Sequence, residues 1–213
     1  MVSAQDPRWG KVTSASLTDA MDQLFDHEAH LTGLTSPTPE RRLIGPACTV
    51  RFVPVREEGN GHAQPFKDLF YRAIGEDGQG KVMVFDTAGQ RDLAIVGGIK
   101  ATRLEHNGLA GLLGDCRFRD FDEIRELDLS CWSWGEGIQA GSSRLMAVAA
   151  NGPAVVDGVT ILPGDWVYVD QAGAVILPGD DVDRVLDAAV AKEERDVARA
   201  EAVRKGKAPG SDR

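Results

Sequence analysis

Through the first 130 residues, short unbroken apolar runs alternate with stretches in which apolar residues recur at helical spacing. Residues 14–25 (SASLTDAMDQLF) put Leu17, Met21, Leu24 and Phe25 on one face, which predicts a helix with Ser14 or Ser16 as its cap. A proline-bearing stretch from Thr35 to Glu40 interrupts the chain. ACTVRFVPV (47–55) then reads as a strand, Glu57 to Ala63 as a polar loop, and 65–74 as a short helix. KVMVFD (81–86) is a buried strand ending in a carboxylate. A glycine pair opens a helix over Gly97 to Asn107, and LAGLLGD (109–115) is the next strand. FDEIREL (121–127) is the next helix. This βαβα rhythm predicts a mainly parallel sheet with helical crossovers.

Beyond residue 130 the rhythm changes. CWSW, RLMAVAA, PAVV, VTIL, WVYVD and AVIL are short β-prone segments, separated by turn signals such as Asn151-Gly152, Asp157-Gly158 and Pro163-Gly164-Asp165. They predict antiparallel strands added to the parallel half. The last element is a helix over 180–205 with Val182, Val185, Leu186, Ala189 and Val190 as its buried stripe. Past Lys192 it is charge-rich and outruns that stripe, which points to a contact with another subunit. Residues 206–213 carry no core material and read as a flexible tail. With no repeat and no clear linker, residues 1–213 are expected to form a single domain.

Composition narrows the function. The chain has 213 residues, 42% hydrophobic and 27% charged, so disorder over most of its length is excluded. No apolar run approaches a membrane span, and the opening MVSAQDPRWGK shows no secretory signal. Cys48, Cys116 and Cys131 lack CxxC spacing and fit buried thiols in a reducing compartment, so a cytoplasmic address is expected. A net charge of −9 works against a surface that tracks phosphates, so no nucleic-acid partner is expected.

The sharpest chemical cluster is Arg119-Asp120-Phe121-Asp122-Glu123, just after a buried strand and at the start of a helix. Asp120 and Glu123, three apart, can face one way and hold a hard cation, and Arg119 offers a fork for a carboxylate. The same D-x-x-E spacing also makes a capping box, so metal binding and capping both stand at this stage. Gly97-Gly98 opens another helix, whose first amides favour an anion and whose glycines admit close approach.

Gly98, twenty intervening residues, Arg119-Asp120, two residues and Glu123 resemble the G-x20-R-D-x2-E/D pattern of RraA-like proteins. These are related to the class II 4-hydroxy-4-methyl-2-oxoglutarate/4-carboxy-4-hydroxy-2-oxoadipate aldolases. Leu17-Thr18-Asp19-Ala20, Ile44-Gly45-Pro46-Ala47 and Pro163-Gly164-Asp165 with Asp170 and Gly173 agree, extending the likeness over about 14–180. The resemblance implies an α/β/β/α sandwich like a phosphohistidine swivelling domain, assembled as a homotrimer or homohexamer. It implies Mg²⁺ or Mn²⁺ held by Asp120 and Glu123, with Arg119 and Asp120 as the catalytic pair. Gly98, Arg119 and the amides near Ile99 and Lys100 would bind a 2-oxo acid. The implied reaction is carbon–carbon lysis through a pyruvate enolate, as aldolase or oxaloacetate decarboxylase. Regulation of a ribonuclease by protein binding, and a specialised biosynthetic lyase or hydratase, are the alternatives.

Three departures from the pattern matter. Gly98 stands where the aldolases often carry aspartate, Cys116-Arg117 replaces a glycine after the strand-end Asp115, and Lys100 replaces a leucine. Lys100 implies either a more acidic substrate or a solvent-facing lysine. His27 with His30, His62 and His106 lack metal or triad spacing and read as solvated. Cys116 reads as a packed thiol near the site, Trp132 and Trp134 as core or interface, and Glu193-Glu194-Arg195 as a solvated helix face.

Overall fold

A 3-10 turn over Pro7–Lys11 leads into α1 (Ser14–Leu24). Its N-cap is Thr13, not the expected Ser14 or Ser16: the Thr13 side chain accepts from the Ser16 amide, and the Ser16 side chain accepts from the Thr13 amide. The computed structural model, which describes residues 2–56 and 64–206, continues with β1 (His30–Leu31), β2 (Leu43–Pro54), α2 (Phe66–Ile74), β3 (Val82–Asp86) and β4 (Ala94–Val96). Next come α3 (Gly98–His106), β5 (Gly111–Gly114), β6 (Arg117–Phe118) and α4 (Phe121–Arg125). The remainder is β7 (Ser130–Trp132), β8 (Leu145–Ala150), β9 (Ala154–Val156), β10 (Val159–Ile161), β11 (Trp166–Asp170), β12 (Gly173–Leu177) and α5 (Val182–Arg204). The expected loop at 57–63, with His62, and all but the first residue of the expected tail lie outside the described residues.

One mixed sheet runs in the order β1-β12-β11-β2-β3-β5-β7, with β8 also paired to β2. β2 joins its two halves: Leu43 to Pro46 pair antiparallel with β11, and Ala47 to Arg51 pair parallel with β3. β7 belongs to the parallel half, pairing with β5, and not to the antiparallel additions expected after residue 130. The reason is the crossover through α4, which returns the chain to the same edge in the same direction.

Strand alternation sorts the core into layers. Val82 and Val84 of β3, Val167 and Val169 of β11, and Ala174 and Ile176 of β12 share a middle layer with the β9–β10 hairpin. The opposite faces bury Met83 and Phe85 under α2 and α3, and Tyr168, Val175 and Leu177 under α1 and α5. Helices thus cover both outsides of a doubled sheet, as the α/β/β/α expectation requires. The buried stripe of α5 ends at Ala189; farther along, Val197 and Val203 are each more than half exposed. Among the described residues no helix is long and apolar enough to cross a membrane.

Candidate active site

Two short strands that carry no periodic signal build the site. β4 and β6 pair parallel, Ala94 with Arg117 and Val96 with Phe118, and the Arg119 amide continues the ladder to the Val96 carbonyl at 2.8 Å. This ladder sets the start of α3 beside the start of α4 and brings Gly97-Gly98 against Arg119-Asp120, although they are far apart in sequence.

Asp120 takes up a left-handed backbone (φ 62°, ψ 43°), an uncommon state for a residue with a side chain. Its carboxylate makes no cap bond to α4. Oδ2 accepts from the Gly98 amide across the cleft at 3.2 Å and lies 3.4 Å from Arg119 Nε. The first-turn amide of Phe121 donates instead to Glu136 Oε1 at 3.0 Å, so Glu136, unmarked by any motif, takes the capping role. The capping-box reading of Asp120 is therefore corrected: a side-chain cap needs an extended N-cap backbone, which Asp120 does not have.

Both glycines are fixed by these side chains. A Cβ on Gly97 would overlap Asp120 Oδ2 and come within 2.9 Å of Arg119 Nε; a Cβ on Gly98 would overlap Glu123 Oε2 and lie 2.9 Å from its Cδ. The carboxylates of Asp120 and Glu123 thus converge on one turn of backbone. The helix amides are less open than expected. Gly98 donates to Asp120, and the Lys100 amide donates to the Gly97 carbonyl at 3.0 Å, which leaves the Ile99 amide without a partner among the described residues.

The cleft encloses 470 Å³ between Ile95, Gly97, Lys100, Arg103, Arg119 and the two carboxylates, with Ile99 on its rim, 82% exposed. Arg103, one turn along α3, was missed in the sequence because its place depends on how α3 meets the β4–β6 ladder. Lys100 is not solvent-facing. Nζ donates to the Ile95 carbonyl at 2.6 Å and lies 4.5 Å from the Phe66 ring centre. Burial, and then the neighbouring charges of Arg119 and Arg103, pull its ammonium below the usual lysine range.

Two carboxylates and no third His, Cys, Asp or Glu among the described residues make an incomplete protein shell for a cation. That donor set suits Mg²⁺ or Mn²⁺, which bind through one or two carboxylates and complete their octahedron with water and substrate oxygens. The left-handed backbone at Asp120 gives a second sign of fit, since it aims the carboxylate away from its own helix.

At the ends of β3 and β5, where a parallel sheet ordinarily presents its ligand site, the carboxylates are already paired within the protein. Asp86 accepts from Ala88 and Val155 amides beside Arg51. Asp115 accepts from Trp134 Nε1 and Arg91 Nε, and Arg91 lies 4.3 Å over the Trp134 ring. Burial raises the Asp115 carboxyl against these bonds. Cys116 is fully buried, and burial, reinforced by Asp115, pushes its thiol up: a packed group. Arg117 donates to the Trp134 carbonyl at 3.0 Å. His27 and His106 are exposed, His30 lies 4.0 Å from Glu28, and Trp132 is core.

The doubled mixed sheet and a cleft bearing two carboxylates and an arginine at facing helix starts define an α/β protein with a charged cleft built on the β4–β6 ladder. Family comparison makes this specific. The RraA-like model (Aldolase/RraA) matches residues 14–176, and the chain belongs to that family. A Burkholderia mallei protein provisionally named 4-hydroxy-4-methyl-2-oxoglutarate aldolase is 32% identical over 136 residues, 64% of this chain and 75% of that protein. Protein DlpA of Legionella pneumophila is 26% identical over 84% of this chain, but the match spans only 28% of DlpA. Among solved structures, an uncharacterized Pseudomonas syringae protein superposes with a TM-score of 0.80 at 29% identity, covering 94% of this chain and 88% of that one. Streptomyces coelicolor RraAS2, described as an unusual member of the RNase ES inhibitor RraA protein family, gives 0.78 at 26% identity over 91% and 96%.

Proposed function

We propose that this chain is a divalent-cation-dependent carbon–carbon lyase acting on 2-oxo acids, of the 4-hydroxy-4-methyl-2-oxoglutarate aldolase or oxaloacetate decarboxylase kind. The observation that carries the reading is the convergence of the Asp120 and Glu123 carboxylates, with Arg119, on the Gly97-Gly98 turn. Asp120 and Glu123 would hold Mg²⁺ or Mn²⁺, which when bound supplies Lewis acidity toward a 2-oxo group. Arg119, half exposed at the cleft wall, pairs its planar fork with the substrate carboxylate and fixes its orientation. The free Ile99 amide adds a donor at the positive end of α3, beside the two carboxylates that the glycines admit. Donors already in place where negative charge builds up need no rearrangement as the C–C bond breaks.

We place this activity in a cytoplasmic homotrimer or homohexamer, the exposed far half of α5 being the surface that a neighbouring subunit would cover. The test is pyruvate release across a panel of 2-oxo acids, with and without Mg²⁺ or Mn²⁺. Metal-dependent pyruvate release from 4-hydroxy-4-methyl-2-oxoglutarate or oxaloacetate is the expected result. No release from any member of the panel would reject it. The likeness to RraAS2 favours a second reading, a protein-binding regulator of a ribonuclease, in which case the chain would inhibit RNA cleavage with or without Asp120. The lysine at position 100 leaves a third substrate, for a specialised lyase or hydratase, within the scope of the same panel.

A further inference from the structure

We propose that Lys100 is a covalent nucleophile: its amine condenses with the 2-oxo group of an acid anchored at Arg119, giving the cleft an imine route to C–C cleavage beside that of the cation. This rests on the reading of the cleft as a 2-oxo acid site and gives a task to a residue which that reading leaves without one.

Lys100 stands in the first turn of α3, and its side chain lines both the cleft and an adjoining 260 Å³ pocket walled in part by Phe52, Phe66 and Leu145. Nζ donates to the Ile95 carbonyl at 2.6 Å and lies 4.5 Å from the Phe66 ring centre. The carbonyl and the ring face match the two N–H bonds of a neutral amine and leave its lone pair over. An ammonium would carry a third N–H without a partner among the described residues. A counter-charge is missing too. Arg91, Arg117, Arg119 and Lys192 each have an aspartate within 4 Å, whereas no carboxylate pairs with Lys100 among the described residues. Burial, and then the charges of Arg119 and Arg103, hold its ammonium below the usual lysine range. Cys116 would oppose them if ionised, but it is fully buried, and burial keeps its thiol protonated. Desolvation next to another cation is how a lysine becomes a nucleophile near neutral pH.

Position relative to Arg119 suits this chemistry. In a 2-oxo acid the reacting carbon is bonded directly to the carboxylate carbon, so an attacking amine must stand close to the group that holds the carboxylate. Lys100 and Arg119 line the same cleft, and the charge of Arg119 acts on Lys100 ahead of that of Arg103 on its own helix. The steps balance with water and protons alone. Nζ forms a bond to C2, and the carbonyl oxygen leaves as water with one proton from the nitrogen and one from solvent. The iminium draws in the electron pair of the breaking C3–C4 bond. The far fragment departs as a second oxo acid, its hydroxyl proton passing to water, or as CO₂. The enamine takes a proton at C3, and water then releases pyruvate and the free amine.

The experiment traps the imine. The protein is incubated with pyruvate and cyanoborohydride, with EDTA in place of Mg²⁺, and the reduced adduct is located by peptide mass mapping. One carboxyethyl group on Lys100 is expected, saturating with pyruvate, while the exposed Lys205 stays unlabelled. Lys100→Met should carry no adduct and still melt as a folded protein. Arg119→Lys should need roughly tenfold more pyruvate for half-labelling, the order of one charge-assisted bond. In EDTA the parent should release pyruvate slowly from 4-hydroxy-4-methyl-2-oxoglutarate or oxaloacetate, and Lys100→Met should lose that release. A parent that forms no adduct at Lys100, labels it no more than Lys205, or releases pyruvate only when Mg²⁺ is present overturns the imine route and leaves the cation-dependent lyase standing. An adduct at Lys100 without pyruvate release from any 2-oxo acid under either condition supports the nucleophile and rejects the lyase. Neither adduct nor release overturns both.

Discussion

The carboxylate of Glu123 stands in the volume that a side chain on Gly98 would fill: a Cβ built there overlaps Oε2 and lies 3.1 Å from the Glu123 Cβ. Position 98 and position 123 therefore share one space, and a glycine at the first is what lets the second bring its oxygen to the cleft. A related protein with a carboxylate at position 98 would have to carry its cation ligand there and turn residue 123 aside.

Gly98→Ala tests this exchange. The Gly98 backbone is not in the left-handed region, so alanine is tolerated by the helix start and lowers the entropy of the unfolded chain. The exposed end of Glu123 can swing away. Melting temperature should hold or rise slightly, while Mg²⁺ affinity falls by roughly tenfold or more, the scale seen when a group supporting a metal is lost. Calorimetric titration with Mg²⁺ beside a thermal melt gives both numbers. Unchanged affinity would remove Glu123 from the cation shell.

Asp120→Asn separates a ligand from a structural residue. Asparagine tolerates the left-handed backbone about as well as aspartate, and the carboxylate caps nothing in α4, so stability without metal should change little. Loss of the charge should cut Mg²⁺ affinity and pyruvate release together, by roughly 10–100-fold, and abolish most of the metal-induced rise in melting temperature. An Asp120→Asn protein that binds Mg²⁺ as the parent does and still releases pyruvate would show that the site lies elsewhere.

The sequence disclosed the long elements and the motif spacing, and it did so for physical reasons. α1, β2, β3 and α5 each carry enough periodic or unbroken apolar residues to declare their type, and Gly98 and Arg119 flag themselves by residue chemistry. β4 and β6 span three and two residues, too few for any period, yet their pairing assembles the cleft. Arg103 and Glu136 belong to the site through tertiary placement, which one-dimensional spacing does not encode. The D-x-x-E ambiguity at Asp120 turned on a single backbone angle that residue type does not report.

Asp170 gives the fold a pH-sensitive tie. Its carboxylate accepts from the Ser14 amide at 2.9 Å and the Ser14 hydroxyl at 2.8 Å, joining the end of β11 to the start of α1. Burial raises this carboxyl, but the two Ser14 bonds and the Ala172 amide outweigh burial and hold it below the ordinary value of 3.8. A lowered folded pKa contributes stability above 3.8 and loses it as pH falls through the folded value. Asp170→Ala should therefore cost about 1–3 kcal/mol at neutral pH by leaving the Ser14 donors unpaired. That difference should shrink as both proteins are taken below pH 3.8. Urea unfolding at neutral and acid pH checks it, and a gap that stays constant would mean that Asp170 acts through packing alone.

Arg119→Lys asks whether the cleft needs positive charge or a particular shape of it. The ion pair with Asp120, at 3.4 Å and half exposed, contributes little to folding, so the variant should melt within about 0.5 kcal/mol of the parent. Lysine keeps the charge but places it on a single rotating ammonium, which cannot make two parallel bonds to a planar carboxylate. Losing one charge-assisted bond at the reacting end should lower kcat/KM on a confirmed 2-oxo acid by roughly 10–100-fold. KM and kcat divide the outcome. A rise in KM alone assigns Arg119 to holding the substrate throughout, whereas a fall in kcat assigns it to the charge that builds as the C–C bond breaks. Kinetics equal to the parent in both constants would make Arg119 a structural residue.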